Sequence, residues 1–220
     1  MIRGAALALA AVLSVPLPAP AQANRSVDEV WSAYQRRWST TDTYAATFKQ
    51  RIDVEGIGGE VESGGNFYFA KPDLMRWDYL DGQLQNVVGD GKFVWVYQPD
   101  LEQAYKVDYK AAFGSGGLVA LLANRAGLTA RYRLALVERG DGLVHIRLSP
   151  KADVGETLEV AMAADTLDLR SVVINDPAGS VTTVVFDQVR RNVRLDDGLF
   201  RFAPPKGTDV ITSPPPPPGK

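Results

Sequence analysis

The chain has 220 residues, with 24 Lys and Arg against 26 Asp and Glu and a formal charge of −2, so it lacks the basic footprint that argues for nucleic acid as a partner. With no Cys and a single His, it can form neither a disulfide nor a zinc site of familiar type, and nothing in it calls for a metal or cofactor. Its stability must come from burial.

Met1-Ile2-Arg3, the apolar run at 5–15 and Ala21-Gln22-Ala23 have the form of a secretory signal peptide over residues 1–23. That run is shorter than the roughly 20 apolar residues that span a bilayer, and no later segment comes near that length. The absence of Cys near the cleavage site argues against the protein being itself acylated. Residues 24–210 are expected to form one domain, and 211–220, with the proline run at 214–218, an extended disordered tail.

Ser26-Val27-Asp28-Glu29 reads as a capping box. Val27, Val30, Trp31, Tyr34 and Trp38 follow at spacings of three and four, which predicts a helix over 27–38 with one apolar stripe laid across a sheet. From Thr43 the period becomes two, with Tyr44, Ala46, Phe48 and Ile52 on one side and Thr47, Lys49 and Arg51 on the other. Further strands are expected at about 61–70, 74–80, 83–88, 92–97 and 102–108, joined by Gly-, Asp- and Pro-containing turns. Gly114, Gly116 and Gly117 then break the rhythm, and Leu118, Leu121 and Leu122 at helical spacing predict a short helix over 118–126. Strands resume at about 129–137, 143–148, 156–163, 168–175 and 180–189.

That pattern gives about eleven strands. So many antiparallel strands in one sheet twist and curl, either closing as a barrel or leaving an open half-barrel for the helices to cover. The expected fold is mainly β, a single curled antiparallel sheet with covering helices. Within it, Phe67 and Phe69, then Met75, Trp77 and Tyr79, then Phe93, Trp95 and Tyr97 each share a strand face. An ordinary core needs little of that aromatic bulk. A sheet wrapped around a greasy ligand would use it, since keeping a sixteen-carbon acyl chain out of water is worth on the order of 12 kcal/mol at about 0.8 kcal/mol per methylene.

Catalytic constellations are absent from the pattern. His145 alternates with Leu143 and Arg147, which places it on the more polar face of its strand as a surface or edge histidine. Asp196-Asp197 and Glu60/Glu62 read as solvated turn carboxylates. The glycines at 114–117 lack the Lys-Ser/Thr of a phosphate loop. Arg190, Arg191 and Arg194 form a small basic cluster at a strand end, a solvated feature before it is an anionic-lipid contact.

Several short motifs stand in order along the chain: Tyr44-Ala45-Ala46-Thr47-Phe48-Lys49-Gln50, Phe67-x-Phe69-x-Lys71-Pro72-x-Leu74-x-x-Trp77, Asp90-Gly91-x-x-Val94-Trp95-x-Tyr97, Leu101-Glu102-Gln103, Phe186-x-x-Val189 with Asn192, and Phe200-x-Phe202-x-Pro204-Pro205-x-Gly207. Through them the chain resembles the LolA-type outer-membrane lipoprotein carrier family. The resemblance implies an unclosed β-barrel lidded by helices, whose apolar cavity shields the acyl chains of lipoproteins in the periplasm without any enzymatic step. It also implies cargo taken from an inner-membrane ATP-driven releasing complex, delivery to an outer-membrane acceptor, and a monomeric carrier. The cavity wall would include Phe67, Phe69, Met75, Trp77, Trp95 and Tyr97, with Leu118, Leu121 and Leu122 on the lid. Where family members commonly carry an Arg that hydrogen-bonds lid backbone, this chain has Lys71, whose ammonium lacks the planar five-donor fork. The alternative reading is a lipid- or lipoprotein-binding sensor, or a phospholipid shuttle, of the same fold. An esterase would need His145 as its base.

Overall fold

Residues 25–55, 59–113, 121, 128–152 and 155–212 are described by a computed structural model. In chain order the elements are helix α1 (Val27–Ser39), strands β1 (Thr43–Val54), β2 (Glu60–Ala70), β3 (Leu74–Asp81), β4 (Gln85–Asp90), β5 (Phe93–Gln98) and β6 (Gln103–Asp108), short helices α2 (Tyr109–Phe113) and α3 (Leu128–Arg131), then β7 (Tyr132–Val137), β8 (Leu143–Pro150), β9 (Thr157–Ala163), β10 (Leu169–Asn175), β11 (Ser180–Arg191) and β12 (Asp209–Ile211).

The twelve strands form one sheet in the order β12-β6-β5-β4-β3-β2-β1-β11-β10-β9-β8-β7. Among the described residues no pairing joins β7 to β12, so the curled sheet stays open. Curling is helped by register shifts at Ala45/Thr47, Gly64/Gly65 and Leu169/Ser171. At Gly65 the bend needs glycine, because a Cβ there would collide with the Asp78 carbonyl oxygen.

Helix α1 starts as its sequence dictates. The Glu29 amide donates to Ser26 Oγ at 3.2 Å and the Ser26 amide donates to Glu29 Oε2 at 2.8 Å, closing the capping box. Its apolar stripe buries Val30, Trp31, Tyr34 and Trp38 in the core.

Three expectations need correction. The sheet has a twelfth strand, and it is not wholly antiparallel: β12 runs parallel to β6 and takes in Ile211, which the sequence reading gives to the tail. Three residues are too few to show a period. Residues 129–131, expected to begin a strand, instead belong to α3. Its Leu-Thr-Ala-Arg sequence holds three good helix formers, and Lys151 satisfies its trailing carbonyls, the amide donating to Arg131 O and Nζ to Thr129 O, both at 2.8 Å. Of the helix expected over 118–126, only Leu121 falls within the described residues, where it is helical and fully buried. The expected signal peptide lies outside them.

Candidate functional site

Residues directly opposite one another in neighbouring strands point to the same side of a sheet, so the pairing register sorts every side chain into a concave or a convex face. Ala46, Phe67, Trp77, Val87, Val96 and Tyr105 lie in one such row, and Tyr44, Phe69, Met75, Gly89 and Val94 in the next. On the other side of β1, the concave rows continue through Phe186 and Val184 to Val172, Val160 and Ile146.

Aromatic rings dominate the middle of this face. Phe67 and Trp77 have centroids 4.3 Å apart, Phe48 and Trp77 lie edge to face at 4.9 Å, and Phe186 stands 5.6 Å from Phe67. Met75 is buried opposite Gly89, where the missing Cβ leaves room for both Met75 and Tyr109. Toward β7 the lining turns aliphatic, with Ile146, Leu148, Leu158, Val160 and Met162 all fully buried.

Helix α1 covers the aromatic part. Trp31, Tyr34 and Trp38 stack in a ladder, at 5.3 Å and 6.2 Å between successive centroids, and Trp38 reaches Tyr44 at 5.4 Å and Phe69 at 5.9 Å. Burial pushes the Tyr34 and Tyr44 hydroxyls far above the ordinary tyrosine range and Tyr79 up to about 12, and the Tyr79 hydroxyl donates to Gln50 Oε1 at 3.1 Å. All three stay protonated at neutral pH. Trp31 Nε1, Tyr34 Oη and Trp38 Nε1 are buried without a hydrogen-bond partner among the described residues.

The C-terminal end of α1 is held by two side chains. Lys71 Nζ donates to Trp38 O at 2.9 Å and to Ser39 O at 2.8 Å. Asn192 Nδ2 donates to Thr40 O at 2.9 Å, while the Asp42 amide donates to Asn192 Oδ1 at 2.8 Å. Three successive carbonyls at the helix end thus accept from two distant loops, Trp38 O in addition to the Thr41 amide at 3.0 Å. The sequence motifs include Asn192 but give no sign of this contact, which depends on β11 pairing with β1.

The structure brings Phe67, Phe69, Met75, Trp77 and Leu121 together in one buried cluster. Leu118 and Leu122 lie outside the described residues. Trp95 and Tyr97 do not belong with the rest. The register Val88↔Trp95 and Asn86↔Tyr97 turns them to the convex face, where each packs at 5.4 Å on Phe202, while Val94 and Val96 of the same strand face inward. Their alternation with the valines is correctly legible in the sequence. Its direction is not, because the segment after β11 covers the convex face and gives these two rings an apolar partner there. Arg76 donates to Leu199 O at 3.1 Å, and Phe200 is buried alongside.

His145 lies on the convex side, as its alternation indicates, but it is buried, not a surface or edge residue. Its Nε2 is 2.9 Å from Asp141 Oδ2 and its Nδ1 3.5 Å from Glu159 Oε1. Both ring nitrogens therefore face carboxylates, not a serine. Burial would raise the Glu159 carboxyl, but hydrogen bonds from Arg139 and Arg147 outweigh it and hold the group below the ordinary range. Arg191 of the basic cluster pairs with Asp168 at 2.6 Å, Asp196 accepts from the Gly198 amide at 2.6 Å, and Glu60 pairs with Arg51 at 3.3 Å. These groups have structural partners of their own.

An open sheet curled over an apolar interior, with a helix laid across it and fastened at one end, defines a half-barrel binding protein. The family described as outer membrane lipoprotein carrier protein LolA matches residues 39–203, and the chain belongs to that family. Similar proteins named outer-membrane lipoprotein carrier protein include those of Chromobacterium violaceum, 33% identical over 92% of this chain and 95% of the relative, and Halorhodospira halophila, 35% identical over 83% and 86%. Among solved structures, an uncharacterized conserved protein from Thermus thermophilus shares the fold at a TM-score of 0.52, with 16% identity over 84% of this chain and 98% of that one.

Proposed function

We propose that this protein is a periplasmic carrier that takes the acyl chains of lipoproteins into the space between α1 and the concave face and conveys them from the inner to the outer membrane. The observation that carries the reading is the pairing of a concave aromatic wall with a helix whose end is fastened by hydrogen bonds from Lys71 and Asn192. Apolar chains can replace α1's apolar stripe on that wall at little net cost, since each exchanges one buried surface for another. Phe67, Phe69, Met75 and Trp77 form the wall, with Leu118, Leu121 and Leu122 on the lid, and Lys71 is the latch.

The carrier works without a chemical step, as a monomer secreted through the signal peptide at 1–23. Its partners are acylated lipoproteins, an inner-membrane ATP-driven releasing complex and an outer-membrane acceptor. The family match and relatives named as carriers over nearly their whole length support this over a lipid sensor or phospholipid shuttle.

Native mass spectrometry of protein purified from a periplasmic expression host, with delipidated protein as control, tests the reading. A triacylated peptide or protein bound one to one is expected. Phospholipid without lipoprotein would transfer the site to the shuttle reading, and a reproducibly empty protein would return the aromatic face to an ordinary core.

A further inference from the structure

The ladder on α1 carries three hydrogen-bond donors that the described residues of the closed fold do not use. Trp31 Nε1, Tyr34 Oη and Trp38 Nε1 are each buried without an acceptor among those residues, on side chains that are 3%, 1% and 2% exposed. Leaving a buried donor unpaired forfeits its hydration with nothing in return, and native proteins seldom tolerate one such group, let alone three on a single helix face. At 1.5 Å rise per residue they are spread over about 10 Å of the helix.

The chemistry of these groups restricts what can satisfy them. An indole N–H only donates, so the occupant must supply acceptors. An alkyl tail has none. A carboxylate or phosphate would demand a cation, yet among the described residues the buried polar groups are Thr41, at the end of α1, and His145 and Glu159, both on the convex face, and the Lys71 ammonium is already engaged by two carbonyls. Neutral carbonyl oxygens fit, and an acylated protein terminus bears one at the head of each ester- or amide-linked chain.

We infer that Trp31, Tyr34 and Trp38 bind the ester and amide carbonyls of the cargo, so that the site recognises acyl linkages as well as hydrocarbon. This deepens the carrier reading and rests on it. The raised Tyr34 hydroxyl is protonated throughout the physiological range, as a donor must be. The unpaired donors also have a thermodynamic role: their cost weighs on the empty state and is relieved by cargo, which favours loading over an empty closed carrier.

The test compares two probes on the delipidated full-length protein: a cysteine lipopeptide with ester-linked palmitoyl chains, and its ether-linked hexadecyl counterpart with the same hydrocarbon and no chain carbonyls. Affinities are read by displacement of a polarity-sensitive dye below the critical micelle concentration of each probe. Wild-type protein is expected to prefer the ester probe by about tenfold, the worth of one well-made buried hydrogen bond. Tyr34→Phe, which removes only the hydroxyl, should reduce that preference severalfold while leaving ether-probe affinity and the thermal midpoint unchanged or higher. Trp31→Phe supplies a second variant with the same expectation for the preference. Equal wild-type affinity for the two probes overturns the inference, as does a Tyr34→Phe loss that falls equally on both, while the carrier reading survives. Binding of neither probe by wild type overturns both.

Discussion

The two faces of the sheet treat polar groups in opposite ways. On the convex side nearly every buried charge is matched: Glu159 accepts from Arg139 and Arg147 and touches His145, and Asp78 accepts from Arg76 and Asn86 at 2.8 Å and 2.6 Å. On the concave side three donors of α1 are left open among the described residues, and the contacts around them are ring on ring. Satisfied polar networks fix one arrangement, because any departure strands a charge. Apolar contacts are non-directional and can be exchanged for other apolar contacts. The convex face is therefore built to stay as it is, and the concave face to be opened and refilled.

Substituting one tryptophan on each face separates these roles. Trp77→Glu places a carboxylate among Phe48, Phe67 and Phe186 and is expected to abolish acyl binding and to lower unfolding free energy by about 4 kcal/mol or more. Retained binding would remove Trp77 from the wall. Trp95→Ala, on the convex face, removes one of the two rings packed on Phe202 and should cost roughly 2 kcal/mol, less than a fully buried truncation because the ring is only half-buried. Its lipopeptide affinity should stay at the wild-type value. A loss of binding in proportion to the loss of stability would mean that the two faces are not independent.

Much of the inner wall is legible in the sequence because period two in Phe67-x-Phe69 and Met75-x-Trp77, together with short turns, fixes both face and neighbour. The capping box of α1 is legible for a similar reason, since all of its atoms lie within four residues. What fails depends on long-range pairing. Alternation shows that Trp95 and Tyr97 share a face but not which one, and that choice is made by the distant Phe202. The burial of His145 follows from Glu159 arriving on a neighbouring strand. The orphaned state of Trp31, Tyr34 and Trp38 cannot be read at all, because a stripe of aromatic residues looks the same whether or not its polar atoms find partners.

Lys71 joins the two behaviours, being a polar contact that must break when the concave face opens. Replacing it with Ala removes two charge-assisted hydrogen bonds from carbonyls at the end of α1 and should cost about 2 kcal/mol. Hydrogen exchange of α1 amides is expected to accelerate by more than that of the β8–β9 ladder. Lys71→Arg should restore protection or exceed wild type, since a guanidinium can serve both carbonyls with a planar set of donors. Equal acceleration in α1 and in β8–β9 would show that Lys71 supports the fold as a whole and is not a latch.

The smallest effect expected belongs to the convex network, and its sign follows from titration. Because the Glu159 carboxyl is held lower in the folded protein than in the unfolded chain, where it lies near about 4.3, its contribution is fully present above that value and is lost as the pH falls through the ordinary carboxylate range toward its lowered folded value. Glu159→Gln keeps the shape and removes the charge. At neutral pH it should cost only about 1 kcal/mol, because Arg139 and Arg147 are about half exposed and regain water. Denaturant unfolding between neutral pH and the carboxylate range should then show a shallower acid loss for Glu159→Gln than for wild type, the two curves converging at low pH. Parallel curves would mean that Glu159 carries no net charge interaction in the fold. Lipopeptide affinity at neutral pH should be the same for both proteins, since a matched group on the convex face has no part in what the concave face holds.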